Sequence, residues 1–147
     1  MEQLNIPNDA LVLVGDGRRA LFLRNKGTPR NLDLVVESEL SQENPPTREQ
    51  GTDRPGRKPG SDGVSRFAID ETDWHHQAEQ RFAAEIAETL YEMGHDQKFG
   101  ALVIVAPPRM LGDLRAAFHP EVTQRIVAEI PKDLVSHPVQ ELRNLLS

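Results

Sequence analysis

The stretch GALVIVAPP, residues 100–108, decides how the chain is read. An unbroken apolar run closed by two prolines is the pattern of a strand covered on both faces, and so of a central, parallel position in a sheet. The segments on either side must supply its cover. Upstream, Trp74, Ala78, Phe82, Ala83, Ile86, Ala87, Leu90 and Met93 recur at steps of three and four. This is one apolar stripe of a long helix, expected to start near Asp70 and to stop at Gly94. Asp70, Glu71 and Asp73 suit the positive N-terminal end of such a helix. Downstream, RMLGDLRAAF (residues 109–118) puts Met110, Leu111, Leu114, Ala117 and Phe118 on one helical face.

Further out the pattern is simpler. ALVLVGDG (residues 10–17) reads as a buried strand ending in a tight turn, and ALFLRN (residues 20–25) as its antiparallel partner. NLDLVVESEL (residues 31–40) alternates, with Leu32, Leu34 and Val36 on one face and Asp33, Val35 and Glu37 on the other, as an outer strand would. QRIVAEI supplies a last strand. PVQELRNLL supplies a closing helix with Val139, Leu142, Leu145 and Leu146 inward. The order β-β-β-α-β-α-β-α with right-handed crossovers predicts an α/β fold: a mixed five-stranded sheet covered by helices. With 147 residues, 37% of them apolar, one domain over residues 1–147 is expected.

Positions 41–63 contain no apolar residue at all and hold four of the eleven prolines and four of the ten glycines. Too little apolar surface is available there to offset the entropy of ordering, so a flexible polar loop is expected at about 41–69. The net charge of −6 argues against a surface that tracks phosphates throughout. From 48 to 66, however, Arg48, Arg54, Arg57, Lys58 and Arg66 stand against Glu49, Asp53 and Asp62, a local +2 that leaves −8 for the rest. The loop is a basic island. The absence of cysteine excludes disulfides, thiolate metal sites and cysteine nucleophiles, as suits a cytoplasmic protein. Neither an export signal nor a membrane span is visible.

Three segments carry a resemblance: GDGRRALFLRN (residues 15–25), APPRMLGDLR (106–115) and HPEVTQRIVAEIPKDLVSHP (119–138). Together they resemble the bacterial family of proteins required for attachment to host cells, itself similar to the middle domain of the archaeal and eukaryotic class-one peptide release factor. The resemblance implies a ribonuclease-H-like sheet whose loop between the third strand and the long helix reaches into the ribosome. In those factors that loop carries a Gly-Gly-Gln motif. Here GRKPGSDGVSRF (residues 56–67) stands in that place, no Gly-Gly pair occurs, and Gln50 precedes Gly51. What remains is a basic arm suited to the ribosome or to structured RNA, with no cofactor, no membrane partner and no catalytic residue expected. The family name implies host attachment as an alternative. Hydrolysis of a tRNA-like ester or a phosphodiester is a more distant one.

Residues outside the loop are weighed against plainer roles. Asp16 stands where a ribonuclease-H-like nuclease places its first metal-binding carboxylate, but the fourth strand ends in VIVAPPR, without the second carboxylate that a two-metal site needs. A turn role fits Asp16 better. Arg109 and Arg115 flank a helix start after a parallel strand, where α/β folds bind ligands. Against this, the spacing of Arg109 and Asp113 predicts an i,i+4 ion pair. His119, Lys132, Asp133 and His137 could share one polar site with Asp16, although a cap role for His119 and turn roles for Lys132 and Asp133 are the simpler readings. His75 and His76, adjacent on a helix, point about 100° apart and cannot chelate one ion, so no metal site is expected.

Overall fold

The computed structural model describes residues 5–42 and 63–146, with side chains of the long helix from His75 onward. Three strands open the fold: β1 (Leu11–Gly15), β2 (Arg19–Asn25) and β3 (Leu34–Ser41). There follow α1 (Gly63–His95), β4 (Leu102–Val105), α2 (Pro108–Ala117), the one-turn α3 (Pro120–Thr123), β5 (Ile126–Ile130) and α4 (Val139–Leu146). The strands form one sheet in the order β3-β2-β1-β4-β5. Pairing is antiparallel within the β1–β2–β3 meander and parallel for β1 with β4 and β4 with β5. The α/β architecture and mixed five-stranded sheet are those expected from the order of elements.

Every residue of β1 and β4 is buried, which is why both read as unbroken apolar runs. Alternate side chains feed two cores, one on each side of the sheet. Leu11, Leu13, Phe22, Leu102 and Ile104 pack with Phe82, Ile86 and Leu90 of α1 and Leu111 and Leu114 of α2. Val12, Val14, Leu23, Val103 and Val105 pack with Leu134, Val135 and the α4 residues Leu142 and Leu146. Each such aliphatic side chain contributes about 1.5–3 kcal/mol of burial. The central strands β1 and β4 are therefore covered on both faces, while most of the edge strand β3 is exposed.

Four details differ from the sequence reading. The long helix begins at Gly63, so 63–69 is helix instead of loop and Asp70, Glu71 and Asp73 lie inside it. Val64, Phe67 and Ala68 continue the three-and-four spacing upstream, and a helix whose first turns carry few apolar residues is easily read as starting late. His75 and His76 are accordingly twelve residues or more past its start. Val36 is 42% exposed although it shares the face of Leu34, because β3 is the edge strand and the second core covers it only at Leu34. The bulge comes after Val36, opposite Phe22 and Leu23, and turns Leu40 toward the first core. Leu145 is 49% exposed: only Leu142 and Leu146 of α4 reach the second core fully. Finally, α3 is too short for any period to announce it.

At the end of the sheet where β4 begins, two polar residues of β2 are buried and fully employed. Arg24 donates to both carboxylate oxygens of Glu37, at 3.1 and 3.0 Å, and to the carbonyls of Asp9 and Lys98 at 3.1 and 2.9 Å. Asn25 donates to the carbonyl of Ile6 at 3.0 Å while its own Oδ1 accepts from the N–H groups of Gly27 and Asp33, both at 3.0 Å. Together they tie the N-terminal segment and the β2–β3 turn to the sheet.

Candidate functional site

The carboxyl ends of the parallel strands β1 and β4 lie side by side, with Val14 opposite Val105. The chain leaves them in different directions, β1 by a hairpin to β2 and β4 through α2 to β5. Such a divergence leaves a crevice at the strand ends. Here it is a cleft of about 290 Å³ lined by Asp16, Gly17, Arg18, Glu79, Pro107, Arg109 and Met110.

The β1–β2 turn builds one wall. Asp16 Oδ1 accepts from the N–H groups of Arg18 and Arg19 at 2.8 and 2.9 Å, and the Asp16 N–H donates to the Arg19 carbonyl at 2.9 Å. Gln42, just past β3, donates its side chain to the Gly17 carbonyl at 3.0 Å and its N–H to the Arg18 carbonyl at 2.8 Å. The turn is thereby fixed and the Arg18 side chain projects from it. Gly17 is needed for close approach: a Cβ there would come within 2.8 Å of Glu79 Cγ, Cδ and Oε2, so the Glu79 side chain lies across the bare backbone.

The opposite wall is the start of α2. Pro107 at the N-cap is extended, with φ −62° and ψ 158°, and Pro108 takes the first helical position, where its missing N–H costs nothing. Leu111 N–H bonds the Pro107 carbonyl at 2.9 Å, while the N–H groups of Arg109 and Met110, in the first turn, have no intrahelical acceptor. Met110 is buried against the first core and Arg109 is exposed on the rim.

Charge pairing separates the cleft arginines from most others in the fold. Arg19 bonds the Val135 carbonyl and lies 3.7 Å from Glu39. Arg24 is saturated as described. Arg115 forks onto Glu129 Oε1 of β5 at 2.9 and 2.5 Å, and the hydrogen bonds to this carboxylate raise its guanidinium pKa above the ordinary arginine value. Arg125 bonds the Glu121 carbonyl and sits 5.6 Å over the Phe99 ring. Among the described residues, Arg18, Arg109 and Glu79 have no hydrogen-bond or ion-pair partner for their side chains. The expected Arg109–Asp113 pair is absent, and Asp113 Oδ2 is buried without a hydrogen bond. Helical side chains lean toward the N-terminus, which carries Arg109 to the cleft and away from the turn below it.

The other candidates divide between the two ends of the sheet. Lys132 and Asp133 follow β5 and are exposed; the Lys132 N–H closes a turn onto the Ile130 carbonyl at 2.9 Å. Because β5 is parallel to β1, they lie at the same edge as Asp16. His137 pairs with Glu141 at 3.2 Å at the start of α4, on the second core's side. His119 is far from all of these. It occupies the N-cap position of α3, stacks on Tyr91 with ring centroids 4.0 Å apart, and lies 3.6 Å from Glu88. Tyr91 is twelve residues beyond Glu79 on α1, about 18 Å along the helix. The five polar residues therefore do not form one site. Among the described residues, no group of three or more His, Asp or Glu side chains is placed to hold a metal ion.

Arg48, Arg54, Arg57 and Lys58 lie outside the described residues, and Arg66 is within α1 with its side chain outside them. The segment 43–62 that carries the first four leaves the sheet at Gln42, directly beside the β1–β2 turn of the cleft. The sequence reading missed Glu79, which sits beside Ala78 of the apolar stripe and carries no motif. It also passed over Arg18, although the preceding GDG marked a turn that would expose it.

The chain matches the family described as bacterial archaeo-eukaryotic release factor family 12 over residues 9–146. No curated protein matches it. Since the matched residues run from just before β1 to the end of α4 and include the whole cleft, the chain belongs to bacterial archaeo-eukaryotic release factor family 12.

Proposed function

We propose that this protein is a non-enzymatic RNA- or ribosome-associated factor of the release-factor type. The family match over residues 9–146 carries the reading. Two further features support it. The cleft carries two arginines, Arg18 and Arg109, whose side chains have no partner among the described residues, and the sequence from 48 to 66 has a basic excess. The chain also has no Gly-Gly-Gln motif, which removes the flexible backbone that could approach a peptidyl ester. Few phosphate contacts make the association weak and salt-sensitive.

Sedimentation of cell lysate through a sucrose gradient tests this. At low salt a share of the protein should travel with ribosomal particles and return to the top as salt is raised. A protein that stays wholly at the top at low salt, in growing and in stressed cells, rules the reading out.

A second reading, attachment to host cells, rests on the resemblance of residues 15–25, 106–115 and 119–138. It requires exposure on intact cells. Labelling by a membrane-impermeant reagent would favour it over the ribosomal reading, and protection from that reagent would remove it. Among the described residues, no helix is long and apolar enough to cross a membrane.

A further inference from the structure

We propose that the cleft at the ends of β1 and β4 is a subsite for one ribonucleotide residue of single-stranded RNA, its phosphate held by Arg18 and Arg109 and its ribose hydroxyl by Glu79. This deepens the RNA-associated reading and rests on it.

The charges of the cleft define what it complements. Two guanidiniums enter from separate elements, the β1–β2 turn and the first turn of α2, and neither is neutralised by Asp16, Glu79 or any other described residue. Asp16 is engaged by the N–H groups of its own turn. Glu79 keeps its acceptor oxygens unpaired over Gly17. A simple anion would satisfy the arginines and be repelled by Glu79. A ligand carrying an anionic group and, a few ångströms away, hydroxyl donors satisfies both. Phosphate suits paired guanidiniums because several oxygens accept from their planar forks. A carboxylate accepting from ribose hydroxyls is the usual complement of a nucleotide at the strand ends of an α/β sheet. The space of about 290 Å³, with Pro107 and Met110 as apolar wall, is at the lower end of ligand pockets and suits one nucleotide residue. A carboxylate reading the 2′-hydroxyl would also separate RNA from DNA.

The test is fluorescence anisotropy of the full chain with a labelled single-stranded RNA 12-mer and the DNA 12-mer of the same sequence. Arg18→Gln and Arg109→Gln should each weaken RNA binding about tenfold or more and lower the salt slope by about one. Glu79→Ala should abolish the preference for RNA while leaving DNA affinity unchanged. Arg30→Gln and Arg143→Gln, exposed arginines away from the cleft, should leave both affinities unchanged. Circular dichroism confirms that each variant folds. RNA binding that ignores Arg18, Arg109 and Glu79 overturns the cleft assignment and leaves the RNA-associated reading in place. So does a lack of RNA 12-mer binding by a protein that still sediments with ribosomes. If the chain neither binds RNA nor sediments, both fall. Adenosine monophosphate binding more tightly than the RNA 12-mer would identify a free nucleotide as the occupant and overturn the assignment to RNA.

Discussion

Arg24 is 8% exposed and gives hydrogen bonds to Glu37, Asp9 and Lys98, so it joins three parts of the chain that are remote in sequence. Its removal would leave two carbonyls and a half-buried carboxylate without their donor. Arg24→Ala should therefore cost about 2–4 kcal/mol in urea unfolding, whereas Arg18→Gln, on an exposed and unpaired residue, should cost less than about 0.5 kcal/mol. A similar loss for both would show that Arg24 is not a structural hub. Gly17 separates stability from site geometry in another way. A methyl group there meets only the flexible Glu79 side chain, so Gly17→Ala should change stability by less than about 1 kcal/mol while moving the carboxylate out of the cleft. If the cleft reads ribose, Gly17→Ala should lose the RNA preference as Glu79→Ala does. Retained preference with a folded protein would mean that Glu79 does not need its place over Gly17. At this scale the sequence is a poor guide: Arg24 and Arg18 are both arginines of one hairpin, and only the tertiary partners tell the saturated one from the free one.

Among the elements, α1 contributes most to the first core. Phe82, Ile86 and Leu90 are fully buried against β1, β2 and β4. Phe82→Ala should cost about 3–5 kcal/mol, and Leu145→Ala on α4 less than about 0.5 kcal/mol, both read by denaturant unfolding. Equal costs would contradict the burial of these helices. The elements are the level at which the sequence speaks most clearly, because continuous burial of β1 and β4 and one-sided burial of α1 leave direct apolar patterns. Where burial is partial the pattern misleads. Val36 lies exposed on the edge strand, the bulge in β3 turns Leu40 to the other face, and the amphipathic spacing of α4 does not tell which of Leu145 and Leu146 reaches the core. The start of α1 is equally hidden, since its first turns combine polar residues and glycine with a sparse apolar repeat.

For the whole molecule, topology makes the functional edge. Two parallel strands from distant parts of the chain end together, the β1–β2 turn and the start of α2 flank them, Glu79 of α1 closes the cleft, and the segment 43–62 begins at the same edge. The order of elements foretells this edge. The cleft itself is not legible, because Arg18, Glu79 and Arg109 are separated by 61 and 30 residues in the chain and meet only once the sheet exists. The same topology sends His119 to the far end, so residues that one segment brings close in sequence are parted in the fold. The most direct measurement of the central claim is pelleting of the full chain with purified ribosomes at about 50 and 200 mM salt, beside a variant carrying Gln at positions 48, 54, 57 and 58. The wild type should pellet at the lower salt and be reduced by about tenfold or more at the higher one, and the variant should stay in the supernatant at both. Equal pelleting of wild type and variant, unmoved by salt, would contradict it.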